Sequence, residues 1–145
     1  MTSTSTTREL VSACRPLLVT KNLLVYVPLL AAHGPFASST WVPATITFVA
    51  FVALASAVYL INDILDAEVD RTHPAKRDRP VAAGRLSARA AGAAAALLIV
   101  AATALVGLSE VPARVGLVLG LYVALALLYT LVLKRMLLVD VFVLS

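Results

Sequence analysis

Four stretches of the chain are apolar over close to the twenty residues a helix needs to cross a bilayer, and they are separated by short polar segments. Leu17 to Ala32 is the shortest and contains Lys21. Trp41 to Ile61, Ala90 to Leu108 and Val115 to Leu133 carry no acidic or basic residue. A fifth apolar stretch starts at Met136 and runs to Ser145, interrupted by Asp140. The pattern predicts an all-α, polytopic transmembrane bundle of four full helices and the start of a fifth. Residues 1–145 form one membrane domain, because no Ser/Gly-rich linker and no repeat divides them. Pro28 falls inside the first span and predicts a kink there, since proline removes one hydrogen bond of the helical ladder. The last stretch ends abruptly for a hydrophobic helix, which suggests a longer parent chain.

Composition agrees with the pattern. Of the 145 residues, 61% are hydrophobic and 14% charged, against roughly 45–50% apolar and about 25% charged in soluble domains. A mean hydropathy of +0.94 excludes an ordinary soluble domain. The net charge of +4 does not indicate nucleic acid, because the cations lie in short connections beside apolar spans. Cys14 is the only cysteine, so no internal disulfide forms, and it reads as an inert thiol. The Ser/Thr-rich start lacks the order of features of a secretory signal. Residues 1–14 are expected to be a flexible cytoplasmic tail.

Charge also orients the chain. Eleven of the twelve basic residues precede or open the first span, lie between the second and third, or follow the fourth, whereas Arg114 alone lies on the other side. Cytoplasmic connections are enriched in lysine and arginine, so the N-terminus and the long second connection are expected in the cytoplasm of a multi-pass plasma-membrane protein. Trp41 then anchors the second helix at the outer boundary. The Gly116 and Gly120 pair has the small-xxx-small spacing of helix packing.

At the cytoplasmic end of the second span the chain reads Asn62-Asp63-Ile64-Leu65-Asp66-Ala67-Glu68-Val69-Asp70. At about 100° per residue, Asn62, Asp63, Asp66 and Asp70 share one arc of about 100°, and Glu68 points away. Three like charges on one face repel, so a cation should sit among them. Oxygen ligands suit a hard ion, and Mg²⁺ commonly takes one or two carboxylates while substrate phosphates complete its shell. The simpler alternative is ordinary pairing with Arg71, Lys76, Arg77 or Arg79 in the following loop. The helical spacing excludes an EF-hand, and no Walker A sequence is present. The loop places Lys76, Arg77 and Arg79 after the acidic face, where arginine forks and lysine can hold phosphate. His73, beside Pro74, reads as a plain loop residue.

The run Asn62-Asp63-x-x-Asp66-x-x-x-Asp70, followed by Arg79-Pro80 and Ala83-Gly84, resembles the first aspartate-rich motif of the UbiA superfamily of intramembrane transferases. The pattern His73-Pro74-x-Lys76-Arg77-x-Arg79-Pro80-x-Ala82-x-Gly84 is most similar to its decaprenyl-phosphate phosphoribosyltransferase branch. So are Arg15-Pro16 with Lys21-Asn22, and Tyr129 with Leu133-Lys134 and Val139-Asp140-Val141. Between Arg15-Pro16 and Lys21-Asn22, Leu17-Leu18-Val19-Thr20 departs from the polar and aromatic residues usual in that branch.

The resemblance implies a bundle of about nine transmembrane helices, of which these residues supply the first half, with a second aspartate-rich motif in the other half. It implies Mg²⁺ on Asp63, Asp66 and Asp70, with Asn62 assisting, as the catalytic and metal-binding set. Lys76, Arg77 and Arg79 would hold the phosphates of phosphoribosyl diphosphate, and Lys21, Asn22, Tyr129 and Lys134 would line the same substrate site. The implied acceptor is polyprenyl (decaprenyl) phosphate, and the product a lipid-linked ribose phosphate for cell-wall arabinan synthesis. Two other readings stand beside it: an aromatic prenyltransferase of the same superfamily using a polyprenyl diphosphate, and a non-catalytic membrane fragment or transporter subunit whose aspartates form an ion pathway. The pattern permits a homo-oligomer and does not require one.

Overall fold

The computed structural model describes residues 3–15, 19–31 and 38–134. These are helical throughout their regular structure, with no strand among the described residues. The elements are α1 (Ser3–Ala13), α2 (Val19–Asn22), α3 (Val27–Ala31), α4 (Ser38–Leu65), α5 (Ala67–Thr72), α6 (Ala88–Gly107) and α7 (Ala113–Leu128). A 3₁₀ turn, Leu23–Tyr26, joins α2 to α3, and a π-helical turn, Tyr129–Leu133, continues α7. Three stretches among the described residues are long and apolar enough to cross a membrane: Trp41–Leu65, Ala88–Gly107 and Ala113–Leu133. They match the second, third and fourth predicted spans. The fifth predicted stretch, Met136–Ser145, lies outside the described residues.

The first predicted span is broken where Pro28 demands it. A proline at 28 has no N–H for the Leu24 carbonyl, and that carbonyl instead accepts from the N–H of Val27. The bond spans three residues rather than four, which tightens the chain into the 3₁₀ turn. The helix thus changes its winding where a kink is predicted, and residues 19–31 form three short helical pieces in series. Tyr26 holds them against α4, with ring centroids 5.9 Å from Trp41 and 5.3 Å from Phe48.

α4 is the element on which the others pack. Its positions 50, 54, 57 and 60 are buried, as are Ala91, Ala95 and Ala102 of α6. Ala57 and Leu60 cluster with Ala91 and Ala95, whereas Ala50 and Leu54 cluster with Ala102 and with Leu119 of α7. The two helices thus run antiparallel. Alanines four apart on α6 bring its backbone close to α4, which maximises dispersion contact in a solvent as apolar as the side chains. Phe51 of α4 meets Tyr122 of α7 edge-on at 4.7 Å. Large side chains on the far faces, such as Leu97, Val100, Leu117 and Val118, are exposed, as membrane-facing surfaces are. With 28 residues, α4 is about 42 Å long at 1.5 Å per residue, more than the roughly 30 Å hydrocarbon layer. Its C-terminal turns, which carry the acidic run, therefore reach the polar boundary.

Two segments depart from expectation. Residues 3–13, expected within a flexible tail, form α1 instead, because its one apolar edge has a surface to bury. Ala13 is buried in the cluster of Ala57, Leu60, Val81, Leu86, Ala91 and Ala95, with Leu10 and Cys14 packed against it. Glu9 adds an ion pair to Arg85, 3.1 Å away. Burial pushes the Cys14 thiol above its ordinary pKa, partly offset by a hydrogen bond with Ser56. The second departure is the connection 73–87, which is a folded structure rather than a solvated basic loop. Pro80, Val81, Ala82 and Leu86 are buried, and a chain of turn hydrogen bonds runs from His73 to Leu86. His73 accepts the Ala75 N–H at Nδ1, a turn role. Gly84 has φ +72°, a left-handed conformation that costs a side chain about 1–2 kcal/mol.

Docking of α1 has a direct readout. N-ethylmaleimide should label Cys14 slowly in mild detergent at pH 7, because the thiol is half-buried and its thiolate scarce, and rapidly after denaturation in SDS. Equal rates in both states would show α1 undocked. Packing is tested separately: Ala95→Leu should lower the stability of the protein to SDS by about 1–3 kcal/mol, while Ala96→Leu, on the exposed side of α6, should leave it unchanged.

Candidate functional site

The acidic run lies where α4 gives way to α5. Asp66 occupies a turn between them, yet its N–H bonds to the Asn62 carbonyl at 2.9 Å and its carbonyl accepts from Asp70 N–H at 2.8 Å. The helical period therefore carries through, and Glu68 is exposed as the spacing predicts.

Each aspartate of the run has a cation. Asp63, 2% exposed, accepts from Arg15 Nη2 at 2.8 Å and lies 3.4 Å from Arg79 Nη1. Asp70, also 2% exposed, accepts from the same Arg79 nitrogen at 2.6 Å. Asp66 pairs with Lys134 at the end of the π-helical turn. The physical reason is desolvation: removing a carboxylate from water costs several kcal/mol unless a partner and hydrogen bonds replace the lost hydration. The expected grip of three carboxylates on one ion is accordingly not assembled. Among the described residues no three His, Cys, Asp or Glu side chains come together as a metal cage.

A cavity of about 160 Å³ opens beside this network, lined by Arg15, Tyr59, Asn62, Asp66, Lys76, Arg79, Tyr129, Thr130 and Lys134. Four cations face two oxygen-bearing side chains of the acidic run. The Oδ1 of Asn62 is buried with no hydrogen-bond partner among the described residues, a state that costs about 1–3 kcal/mol and that a donor or cation in the cavity would relieve. The Lys76 side chain makes no hydrogen bond or ion pair with the described residues, and the Arg79 side chain uses only Nη1 among them. Larger cavities of about 560, 410 and 360 Å³ lie elsewhere between the helices. Their linings are mostly apolar, with Arg114 as the one charged side chain, so the chemistry belongs to the smaller cavity.

Six of the side chains expected in a substrate site therefore meet here: Asn62, Asp66, Lys76, Arg79, Tyr129 and Lys134. Asp63 and Asp70 stand behind the wall and hold Arg79. Arg77 is exposed and is no part of the lining, nor is Asn22. The Lys21 side chain lies outside the described residues. Of the loop cations considered as simple partners for the aspartates, only Arg79 plays that part; Arg71 Nε donates to the Ala82 carbonyl at 3.1 Å.

Sequence reading missed Arg15, Tyr59 and Thr130. Tyr59 precedes Asp63 by four residues and Asp66 by seven, so helical spacing alone could have placed it on the acidic face. Its ring lies 5.0 Å beneath the Arg15 guanidinium. Arg15 holds φ +52°, a left-handed conformation unfavourable for a side-chain-bearing residue, and its ion pair and the ring contact hold it there. Thr130 and Lys134 reach the cavity on the π-helical turn, whose wider winding no hydrophobic pattern foretells.

Comparison of the whole chain places it among known proteins. The model of the UbiA prenyltransferase family matches residues 23–145. The chain is 39% identical over 138 residues to a decaprenyl-phosphate phosphoribosyltransferase of Corynebacterium glutamicum, covering 94% of this chain and 42% of that protein. A decaprenyl-phosphate phosphoribosyltransferase of Mycobacterium tuberculosis is 40% identical over 139 residues, covering 93% of this chain and 45% of its own length. Nodulation protein NoeC of Azorhizobium caulinodans is 34% identical over 135 residues, covering 92% and 42%. The chain thus spans less than half the length of these relatives. A family match over most of the chain, joined to an all-helical membrane fold, leads to one conclusion: this chain belongs to the UbiA prenyltransferase family.

Proposed function

We propose that the protein is a Mg²⁺-dependent intramembrane transferase that takes 5-phosphoribose from phosphoribosyl diphosphate and delivers it to a polyprenyl phosphate such as decaprenyl phosphate. The observation that carries this reading is the cavity in which Arg15, Lys76, Arg79 and Lys134 oppose Asn62 and Asp66. Identity of about 40% to decaprenyl-phosphate phosphoribosyltransferases over nearly the whole chain supports this donor over a prenyl diphosphate.

The donor atoms fit the metal. Asn62 Oδ1 and the Asp66 carboxylate are hard oxygen donors on one wall, and Mg²⁺ is commonly held by one or two such groups together with substrate phosphates. Asn62 and Asp66 would hold the ion, with Asp63 behind them. When bound, the metal supplies charge neutralisation to the departing diphosphate. The side chains do the rest. Lys76 and the free N–H groups of Arg79 bind phosphate oxygens, and the arginine fork sets their orientation. Lys134, paired with Asp66 and lining the same cavity, would add a third cation to the diphosphate. These fixed charges stabilise negative charge on the leaving group as the ribose carbon becomes electron-poor. The acceptor phosphate approaches from the membrane side, along the apolar surfaces of α4 and α7. In this reading the N-terminus and the 73–87 connection face the cytoplasm of the plasma membrane.

The donor is distinguished by transfer of label. Membranes carrying the protein should move radiolabel from phosphoribosyl diphosphate into lipid, and Asp66→Asn should reduce this on the order of 10- to 100-fold, the loss of one or two charge-assisted contacts. Label entering lipid only from polyprenyl diphosphate would favour the prenyl transfer named by the family. Orientation is checked in a Cys14→Ser background: Ala83→Cys should be shielded from an impermeant maleimide in intact cells, and Glu110→Cys should be labelled. The reverse result would invert the topology.

A further inference from the structure

The four residues of the acidic arc are not equivalent in space, although the sequence aligns them on one face. Asn62 and Asp66 line the cavity; Asp63 and Asp70 do not. Asp70 sits on α5, beyond the turn at Asp66, and its side chain is 3% exposed. Among the described residues its carboxylate meets a single cation, Arg79, and that contact is the shorter of the two ion pairs Arg79 makes there, at 2.6 Å against 3.4 Å to Asp63. Both carboxylates act on the same guanidinium nitrogen. The opposite edge of the fork, Nε and Nη2, is thereby left without a partner among the described residues, while the side chain lines the cavity.

The backbone beneath Arg79 is anchored as well. Pro80, Val81 and Ala82 are buried directly after it, and Arg79 N–H and C=O are both used in turns, to Lys76 and Ala83. A rigid backbone does not fix the end of a side chain with four rotatable bonds. A charged anchor at the guanidinium does, and it removes the rotamer freedom that phosphate binding would otherwise have to suppress.

We propose that Asp70 is a positioning residue: it holds the Arg79 guanidinium against Asp63 with the free edge turned to the cavity, and it is not a ligand of the metal. The motif then divides its work, with Asn62 and Asp66 gripping the ion and Asp70, through Arg79, shaping the phosphate contact. This inference rests on the phosphate-binding reading of the cavity.

The test uses the protein in lipid nanodiscs, with Mn²⁺ as a paramagnetic substitute for Mg²⁺ and inorganic pyrophosphate as the anion. Asp70→Asn should leave Mn²⁺ affinity, read by electron paramagnetic resonance, within about twofold, while Asp66→Asn lowers it about tenfold or more, the loss of one charged ligand. Asp70→Asn should weaken Mn²⁺-dependent pyrophosphate binding by about tenfold, and should weaken it no further in an Arg79→Gln background, because a residue acting only through Arg79 has nothing left to position. Arg79→Lys provides a second variant that leaves Asp70 intact: a point charge without the fork should lose pyrophosphate affinity and keep that for Mn²⁺. Loss of Mn²⁺ affinity in Asp70→Asn equal to that in Asp66→Asn, unchanged pyrophosphate binding, or additive losses in the double variant would each overturn the positioning role. A wild-type protein that binds no pyrophosphate with Mn²⁺ would instead overturn the reading of the cavity itself, and the role of Asp70 with it.

Discussion

An aspartate withdrawn from water at the end of an apolar helix needs a cation, and much of this structure follows from that need. Asp63, Asp66 and Asp70 leave the hydrocarbon layer on one face of α4 and α5, and each draws in a basic side chain from a different part of the chain. Arg15 comes from 48 residues before Asp63 and Lys134 from 68 residues after Asp66. Arg79 comes from the folded connection. The end of α1, the 73–87 connection and the end of α7 are in this way gathered around one helix terminus. Breaking one such pair would strand a buried charge, which costs about 3–5 kcal/mol where burial is complete.

Apolar packing provides the frame on which these charges meet. In lipid there is little hydrophobic gain from bringing helices together, so close approach must come from small residues and good contact. The alanines of α6 provide it along α4. At the polar boundary the situation changes, because water is present and burial of apolar surface again contributes. There Val81, Leu86 and Ala13 join Ala57 and Leu60 in one cluster, so the connection and α1 dock as a globular protein would. The site lies at this junction of two solvents.

The cavity is charge-rich before any ligand arrives. Three of its four cations, Arg15, Arg79 and Lys134, are held in place by carboxylates, so the reorganisation that usually accompanies anion binding is reduced. The pairing also explains why the carboxylates do not converge on one point: with Arg15, Arg79 and Lys134 as partners, mutual repulsion is relieved one residue at a time. Family membership and the identity to phosphoribosyltransferases give this arrangement a chemical context. The exposed apolar faces of α6 and α7 belong to a chain that spans less than half of its relatives' length.

Much was legible in the sequence because membrane helices answer to simple constraints. Length and apolarity determined the three spans, helical periodicity determined which residues of the acidic run share a face, and the absent N–H of Pro28 determined where the first segment breaks. The resemblance to a family motif likewise pointed to Asn62, Asp66, Lys76, Arg79, Tyr129 and Lys134, which line one cavity. Tertiary structure alone decided the rest. Whether residues 3–13 dangle or dock depends on a surface made by α4, α6 and the 73–87 connection, and a local pattern holds no record of that surface. Which cation each aspartate takes depends on distances across 9 to 68 residues of chain, and many pairings satisfy the same charges on paper. The division of the acidic face into Asn62 and Asp66 toward the cavity and Asp63 and Asp70 toward arginine has the same origin: periodicity sets the direction in which a side chain leaves its helix, and only the packed neighbours decide what it meets.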